Sequence, residues 1–177
     1  MGLTSRAVTE EAGCAKGVLH RHFGDFDSFL AELVLDRSRR IAKLEVGLQA
    51  SAGSGSITTN LSGLLVAVFG SVALSMVNLL IARPAVRSLL REAFPVGVPI
   101  LTGITTAIED YLIAERDLGR VAATADVQVV SLTIVGAVHL LFAGATNGEP
   151  DAHEVHGVVT SCLMGARTDE LGAPPPL

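Results

Sequence analysis

The amino-acid sequence predicts an all-α protein with two helical domains, and three observations lead to that prediction. Alanine, leucine and valine dominate a chain that is 49% hydrophobic, a composition that favours helices. Apolar residues recur at spacings of three and four along much of the chain, which is the period of a helix with one buried face. No run alternates apolar and polar residues for long enough to predict a strand. The length of 177 residues is enough for a sizeable core.

The first helix is predicted to begin at Thr4, whose hydroxyl can accept a free amide proton of the opening turn. Val8 and Ala12 lie four residues apart and give this helix one apolar face. Gly13 can adopt the positive φ that ends a helix and turns the chain sharply. A second short helix should therefore follow at once.

That second helix is predicted over residues 15–23, with Leu19 and Phe23 facing inward. Residues 12–24 contain basic side chains and no carboxylate, although the whole chain has a formal charge of −5. Two short helices joined at a glycine, the second of them basic, form a helix-turn-helix pattern. A basic surface on a neutral-to-acidic protein is typical of a small DNA reader.

A longer third helix is predicted from Phe29 to about Ala50, where a Ser/Gly-rich loop at residues 51–56 follows it. The domain boundary is expected near this loop. We assign residues 1–48 to the helix-turn-helix domain, 49–170 to a second helical domain and 171–177 to a disordered tail.

Five further helices are predicted in the second domain, at residues 57–82, 85–93, 100–118, 127–145 and 152–166. Residues 57–82 carry no charge, and 19 of them are nearly continuously apolar, so a membrane span must be considered. Gly70 and Asn78 interrupt the run, and no aromatic belt or lysine cluster flanks it. We therefore favour a buried helix of a bundle over a membrane span.

The run AGCAKGVLHRHFGDFDSFLAELV at residues 12–34 resembles the DNA-binding segment of the TetR (tetracycline-repressor) family. Ala12-Gly13 match the family's alanine–glycine turn, and His22-Phe23 match its histidine–phenylalanine end. His20 stands where the family usually has a tyrosine that touches phosphate. The family also has a complete helix before the position of Thr4, so a chain that lacks this first helix should hold its DNA-binding unit loosely.

The resemblance implies a homodimeric transcriptional regulator, most simply a repressor, that binds a palindromic operator in double-stranded DNA. Its N-terminal domain would bind the DNA, and its second domain would dimerise and bind an effector. The implied base contacts are Arg6, Lys16, Gly17 and Val18. The implied phosphate contacts are Thr4, Ser5, His20, Arg21 and His22.

The resemblance also implies a homodimer through helices 127–145 and 152–166, and an effector pocket among the middle helices. Apolar walls with a few polar groups suit a small-molecule site, so we expect an apolar small-molecule effector, uncharged or weakly acidic. Taken one by one, the candidate ligand-binding residues more simply pack the core. The candidate ligand-binding residues are Phe69, Met76, Asn78, Leu80, Ile104, Thr105, Ile108, His139 and Phe142.

Other functions have little support in the sequence. It contains no nucleophile elbow, phosphate-binding glycine loop or cofactor fingerprint, so we expect neither an enzyme nor a cofactor. His153 and His156 more simply form a solvated face than a metal site. Two cysteines and no signal peptide suit a reduced, cytoplasmic protein. One alternative is a soluble dimeric small-molecule-binding protein that has lost DNA binding. The other is a small two-span membrane protein, whose second span would be the uncharged run at residues 127–148.

Overall fold

The computed structural model describes residues 4–15, 17–70, 74–95, 98–145 and 149–164. Within these ranges every regular element is a helix, which confirms the predicted all-α class. In chain order the helices are α1 (Ser5–Glu11), α2 (Val18–Phe23), α3 (Phe26–Ala50), α4 (Ile57–Val68), α5 (Leu74–Ala82), α6 (Pro84–Leu89), α7 (Pro99–Asp117), α8 (Val127–Ala143) and α9 (Ala152–Leu163). The predicted tail at 171–177 lies outside the described residues.

The predicted helix at residues 57–82 is described in two parts, α4 and α5. A π-type turn at Phe69 and Gly70 follows α4, and glycine has a low preference for the helix interior. Residues 71–73 lie outside the described part of the chain. Among the described helices, none has both the length and the apolar character needed to cross a membrane.

The α3 helix packs into two separate apolar clusters. Its N-terminal half contributes Leu30 and Val34, both fully buried, to a cluster with α5 and α6. Its C-terminal half contributes Ile41 and Leu48 to the main core, which α4, α7, α8 and α9 complete. One continuous helix of 25 residues therefore belongs to both clusters.

The first turn of α3 is also tied to the junction of α5 and α6. Nη1 of Arg83 lies 2.7 Å from Oδ1 of Asp27, and both side chains are about one-third exposed. The same guanidinium lies 5.1 Å from the centre of the Phe26 ring, within the range of a cation–π interaction. These contacts fix the start of α3 against the junction of α5 and α6.

A buried polar network holds the loop between α3 and α4 against α7. Glu115 is fully buried, accepts a hydrogen bond from the amide of Gly53 at 3.2 Å, and forms an ion pair with Arg120 at 3.0 Å. Tyr111 lies one turn earlier on α7, and its hydroxyl accepts from Nδ2 of Asn60 at 3.0 Å. Because an unpaired buried charge is costly, we expect this network to depend on all its members.

Tyr111 provides a test of this network. Its burial, with a hydrogen bond to Glu115, raises the pKa of its phenol to about 12, whereas an unperturbed phenol ionises near pH ~10. The stabilisation that comes from this shift is complete below pH ~10 and is lost as the pH rises toward 12, by at most about 1.4 kcal/mol per pH unit. The free energy of unfolding should fall over that range.

The chain has one tyrosine and no tryptophan, so the near-ultraviolet absorbance of tyrosinate reports this residue alone. The comparison with Tyr111→Phe isolates its contribution to the pH dependence of unfolding. A native titration midpoint at the ordinary phenol value would contradict the buried network.

Candidate nucleic-acid interface and ligand site

The cap at Thr4 and the turn at Gly13 bound α1 as predicted. The hydroxyl of Thr4 accepts a hydrogen bond from the amide of Ala7 at 3.2 Å and caps the helix. At the other end, Gly13 has a φ of 62°, its amide donates to Glu10, and the amide of Cys14 donates to Thr9. These two hydrogen bonds form a Schellman motif, which satisfies the last carbonyls of the helix and directs the chain toward α2.

The α2 helix begins at Val18, later than predicted. Leu19 is buried, as expected, but the prediction that Phe23 faces inward is wrong because this residue is 38% exposed. Phe23 instead packs edge-on against Phe29 of α3, with 5.1 Å between the ring centres. Gly24 then ends α2 with a φ of 76°.

The described DNA-binding candidates lie on α1 and α2 or at their ends. Five of them line one shallow, open groove of about 510 Å³: Thr4, Ser5, Arg6, Gly17 and His20. Arg21 and His22 are exposed, and Val18 is partly exposed. Lys16 lies outside the described residues. The structure thus brings the start of α1 and the start of α2 together on one surface.

Two of the DNA-binding candidates already have a partner in the protein. Nε of Arg6 lies 2.7 Å from Oε1 of Glu10, and both side chains are more than half exposed. Exposed ion pairs of this kind contribute little to stability, so Arg6 could exchange Glu10 for DNA at small cost. Nδ1 of His20 lies 3.0 Å from the carbonyl oxygen of Gly24. Since a carbonyl oxygen can only accept, His20 donates from Nδ1 and keeps Nε2 for another partner.

Asp25 joins α2 to α3 and caps α3. Its Oδ1 accepts a hydrogen bond from the amide of Ser28 at 2.7 Å, and that hydrogen bond holds the pKa of the Asp25 carboxyl below its usual value. The carboxylate therefore serves as the N-cap of α3. This contact helps to fix the angle between α2 and α3.

The structure brings together only part of the predicted ligand-binding set. Five of its apolar members belong to the main core and are at most 5% exposed: Phe69, Met76, Ile104, Ile108 and Phe142. The ring centre of His139 lies 6.0 Å from that of Phe69. Nδ1 of His139 is buried without a hydrogen-bond partner among the described residues. A polar group in this position could orient a ligand, or it could accept a buried water.

The other members lie elsewhere. Asn78 is exposed, because it occupies the outer side of α5. Leu80 is buried in the second cluster, against α3 and α6, and is therefore separate from Ile104 and Ile108. The hydroxyl of Thr105 donates to the carbonyl of Leu101 on its own helix at 2.8 Å. These three positions do not converge with the others on one site.

Sequence reasoning missed a groove of about 770 Å³ between α3 and α7. Its lining is mainly apolar, and Glu45 and Asp110 are the charged side chains among the described residues that line it. Glu45 is partly buried, and this burial raises the pKa of its carboxyl. In the described part of the chain, no group of three or more metal-ligating side chains converges, and His153 and His156 are exposed.

No protein-family model matches the chain, and no curated protein matches it. Solved structures are similar to it. A structure from Mesorhizobium loti MAFF303099, assigned to the TetR family of transcriptional regulators, is 15% identical, with a TM-score of 0.64 over 94% of this chain and 88% of that chain. The R. erythropolis transcriptional repressor QsdR, from the TetR family, is 18% identical, with a TM-score of 0.51 over 96% of this chain and 88% of that chain. The chain has the all-helical fold of these regulators.

The turn between α1 and α2 gives a test of local geometry. In Gly13→Ala the new Cβ meets nothing within 4 Å, but the positive φ is unfavourable for alanine. We expect the free energy of unfolding to fall by about 1 to 2 kcal/mol. The matched control is Gly17→Ala, where φ is −86° and space is also open, so the change should be neutral or slightly stabilising. Equal effects of the two substitutions in urea unfolding would contradict this account of the turn.

Proposed function

We propose that the protein is a homodimeric DNA-binding transcriptional regulator of the TetR type, a repressor that a small-molecule effector releases from a palindromic operator. The observation that carries this proposal is the single exposed surface formed by the starts of α1 and α2, where Arg6 and His20 lie beside backbone of small residues. The fold shared with two TetR-family regulators supports it. Each subunit would insert α2 into a major groove.

The chemistry of this surface suits DNA. Arginine can donate two hydrogen bonds to guanine, and Arg6 is 73% exposed in its ion pair with Glu10. Gly17 has open space beside it, which allows the backbone to approach the DNA closely. Arg21 and His22 on α2 are exposed and would contact phosphate. The phosphate contacts would set the position of α2, and Arg6 would read bases.

Dimerisation is supported by an apolar stripe on α8. Val129, Leu132 and Leu140 are 55%, 63% and 71% exposed, and Gly136 lies between the last two at helical spacing. Large apolar side chains exposed in a continuous stripe mark an interaction surface. With α9 beside it, this stripe would pair with its copy in a second subunit, and the two reading helices would lie about 34–36 Å apart.

The first test is fluorescence anisotropy of the purified protein with labelled DNA from upstream of its own gene. We expect saturable binding that random DNA competes for poorly and that weakens steeply with salt. Arg21→Ala should weaken binding to operator and random DNA alike and lower the salt slope by about one. Arg116→Ala, at the far end of α7, is the matched control for loss of one positive charge.

Absence of saturable binding by a folded dimer would reject the regulator. It would favour instead the alternative of a dimeric small-molecule-binding protein without DNA binding.

The second test concerns the α8 stripe. Leu132→Glu should convert the dimer to a monomer in sedimentation velocity, because a charge in the apolar interface would have no partner. Ile81→Glu is the matched control, since Ile81 of α5 is 61% exposed and Leu132 is 63% exposed. A dimer that survives Leu132→Glu and also Leu140→Glu would place the subunit contact elsewhere.

A further inference from the structure

The groove between α3 and α7 has three walls. Ala42 and Val46 line it from α3, Ala107 lines it from α7, and Phe94 lines it from the connection between α6 and α7. From this geometry we infer that the groove binds an apolar organic cation, held by Glu45 and Asp110. The inference rests on the proposed function in one respect, namely that a ligand in the groove changes the affinity for DNA.

The size and lining of the groove suit the apolar body of such a ligand. A volume of about 770 Å³ lies within the range of sites that hold drug-sized molecules. Val46 is 70% exposed in the free protein, and Phe94 is partly exposed. A ligand that covers these side chains removes apolar surface from water, which favours binding.

The charges in the groove select the sign of the ligand. Glu45 is partly buried, and a Cβ built on Gly103 of α7 would lie 3.5 Å from its Oε1. The Glu45 carboxylate therefore lies against the bare backbone of α7 at Gly103, and both residues line the groove. Asp110 follows Gly103 by two helical turns and lies on the same side of α7.

The carboxylates of Glu45 and Asp110 together attract a cation and repel an acid. Burial raises the pKa of the Glu45 carboxyl because its charged form is poorly hydrated. A cation beside it would replace part of the lost hydration. The ligand class therefore differs from the uncharged or weakly acidic effector expected from the sequence.

The groove also lies at a place from which it can act on DNA binding. Nε2 of Gln49 donates to the carbonyl of Ala107 at 2.8 Å and joins α3 to α7 within the groove. A ligand seated between the two helices would change their spacing. Because α3 begins directly after α2, a shift of α3 moves the reading helix. The ligand would act through its different affinity for the two arrangements.

The test is isothermal titration of the full chain, without DNA, with tetraphenylphosphonium and with tetraphenylborate. These ions have nearly the same size and shape and opposite charge. We expect the cation to bind and the anion to bind at least about tenfold more weakly. Glu45→Gln should weaken binding of the cation by about tenfold or more. Glu32→Gln makes the same change of charge at an exposed position of α3 and should leave the affinity unchanged.

Equal affinity for the two ions would overturn the inference. So would a Glu45→Gln variant of native helicity that binds the cation as tightly as the parent. If Glu45→Gln fails to fold, the exposed Asp110→Asn variant takes its place, with the same expected loss. Because no DNA is present, a protein that binds the cation but no operator would keep the site and would reject only the regulator.

Discussion

The structure depends on the packing of α3 into two apolar clusters. Leu30 and Val34 lie in one apolar cluster, and Ile41 and Leu48 lie in the other. A continuous helix transmits displacement along its axis, so neither cluster can repack around α3 independently of the other. The ion pair of Asp27 with Arg83 adds a polar tie at the end nearest α2. The position of α2 is thus set by packing far from it in the sequence.

The local parts of the fold could be predicted because their causes are local. The cap at Thr4 and the turn at Gly13 each involve residues within a few positions of one another. The π-type turn at Phe69 and Gly70 could not be predicted, because an almost wholly apolar run has no polar face whose period would reveal a change of helix type. The exposure of Phe23 could not be predicted for a related reason. Its spacing from Leu19 predicts a shared face, but it does not show how far the neighbouring helix covers that face.

Of the candidate sites, too, only the one formed by neighbouring residues in the sequence could be predicted. The surface at α1 and α2 comes from one short stretch of chain, so its described members could be grouped from the sequence alone. Hydrophobic periodicity does not show which of the helices from α3 to α9 pack against one another. For this reason Leu80 could not be separated from Ile104 in advance, and Glu45 could not be related to Asp110. The charged groove exists only because α3 and α7 pack against each other, and the sequence does not show that pairing.

The length of α3 has a mechanical consequence. Its 25 residues at a rise of 1.5 Å make a rod of about 37 Å. If the end that carries Gln49 acts as a pivot, a tilt of about 5° displaces the end at Phe26 by about 3 Å. That displacement is comparable to a hydrogen-bond length. A rearrangement too small to disturb the core could therefore move α2, which directly precedes Phe26, by about the length of a hydrogen bond.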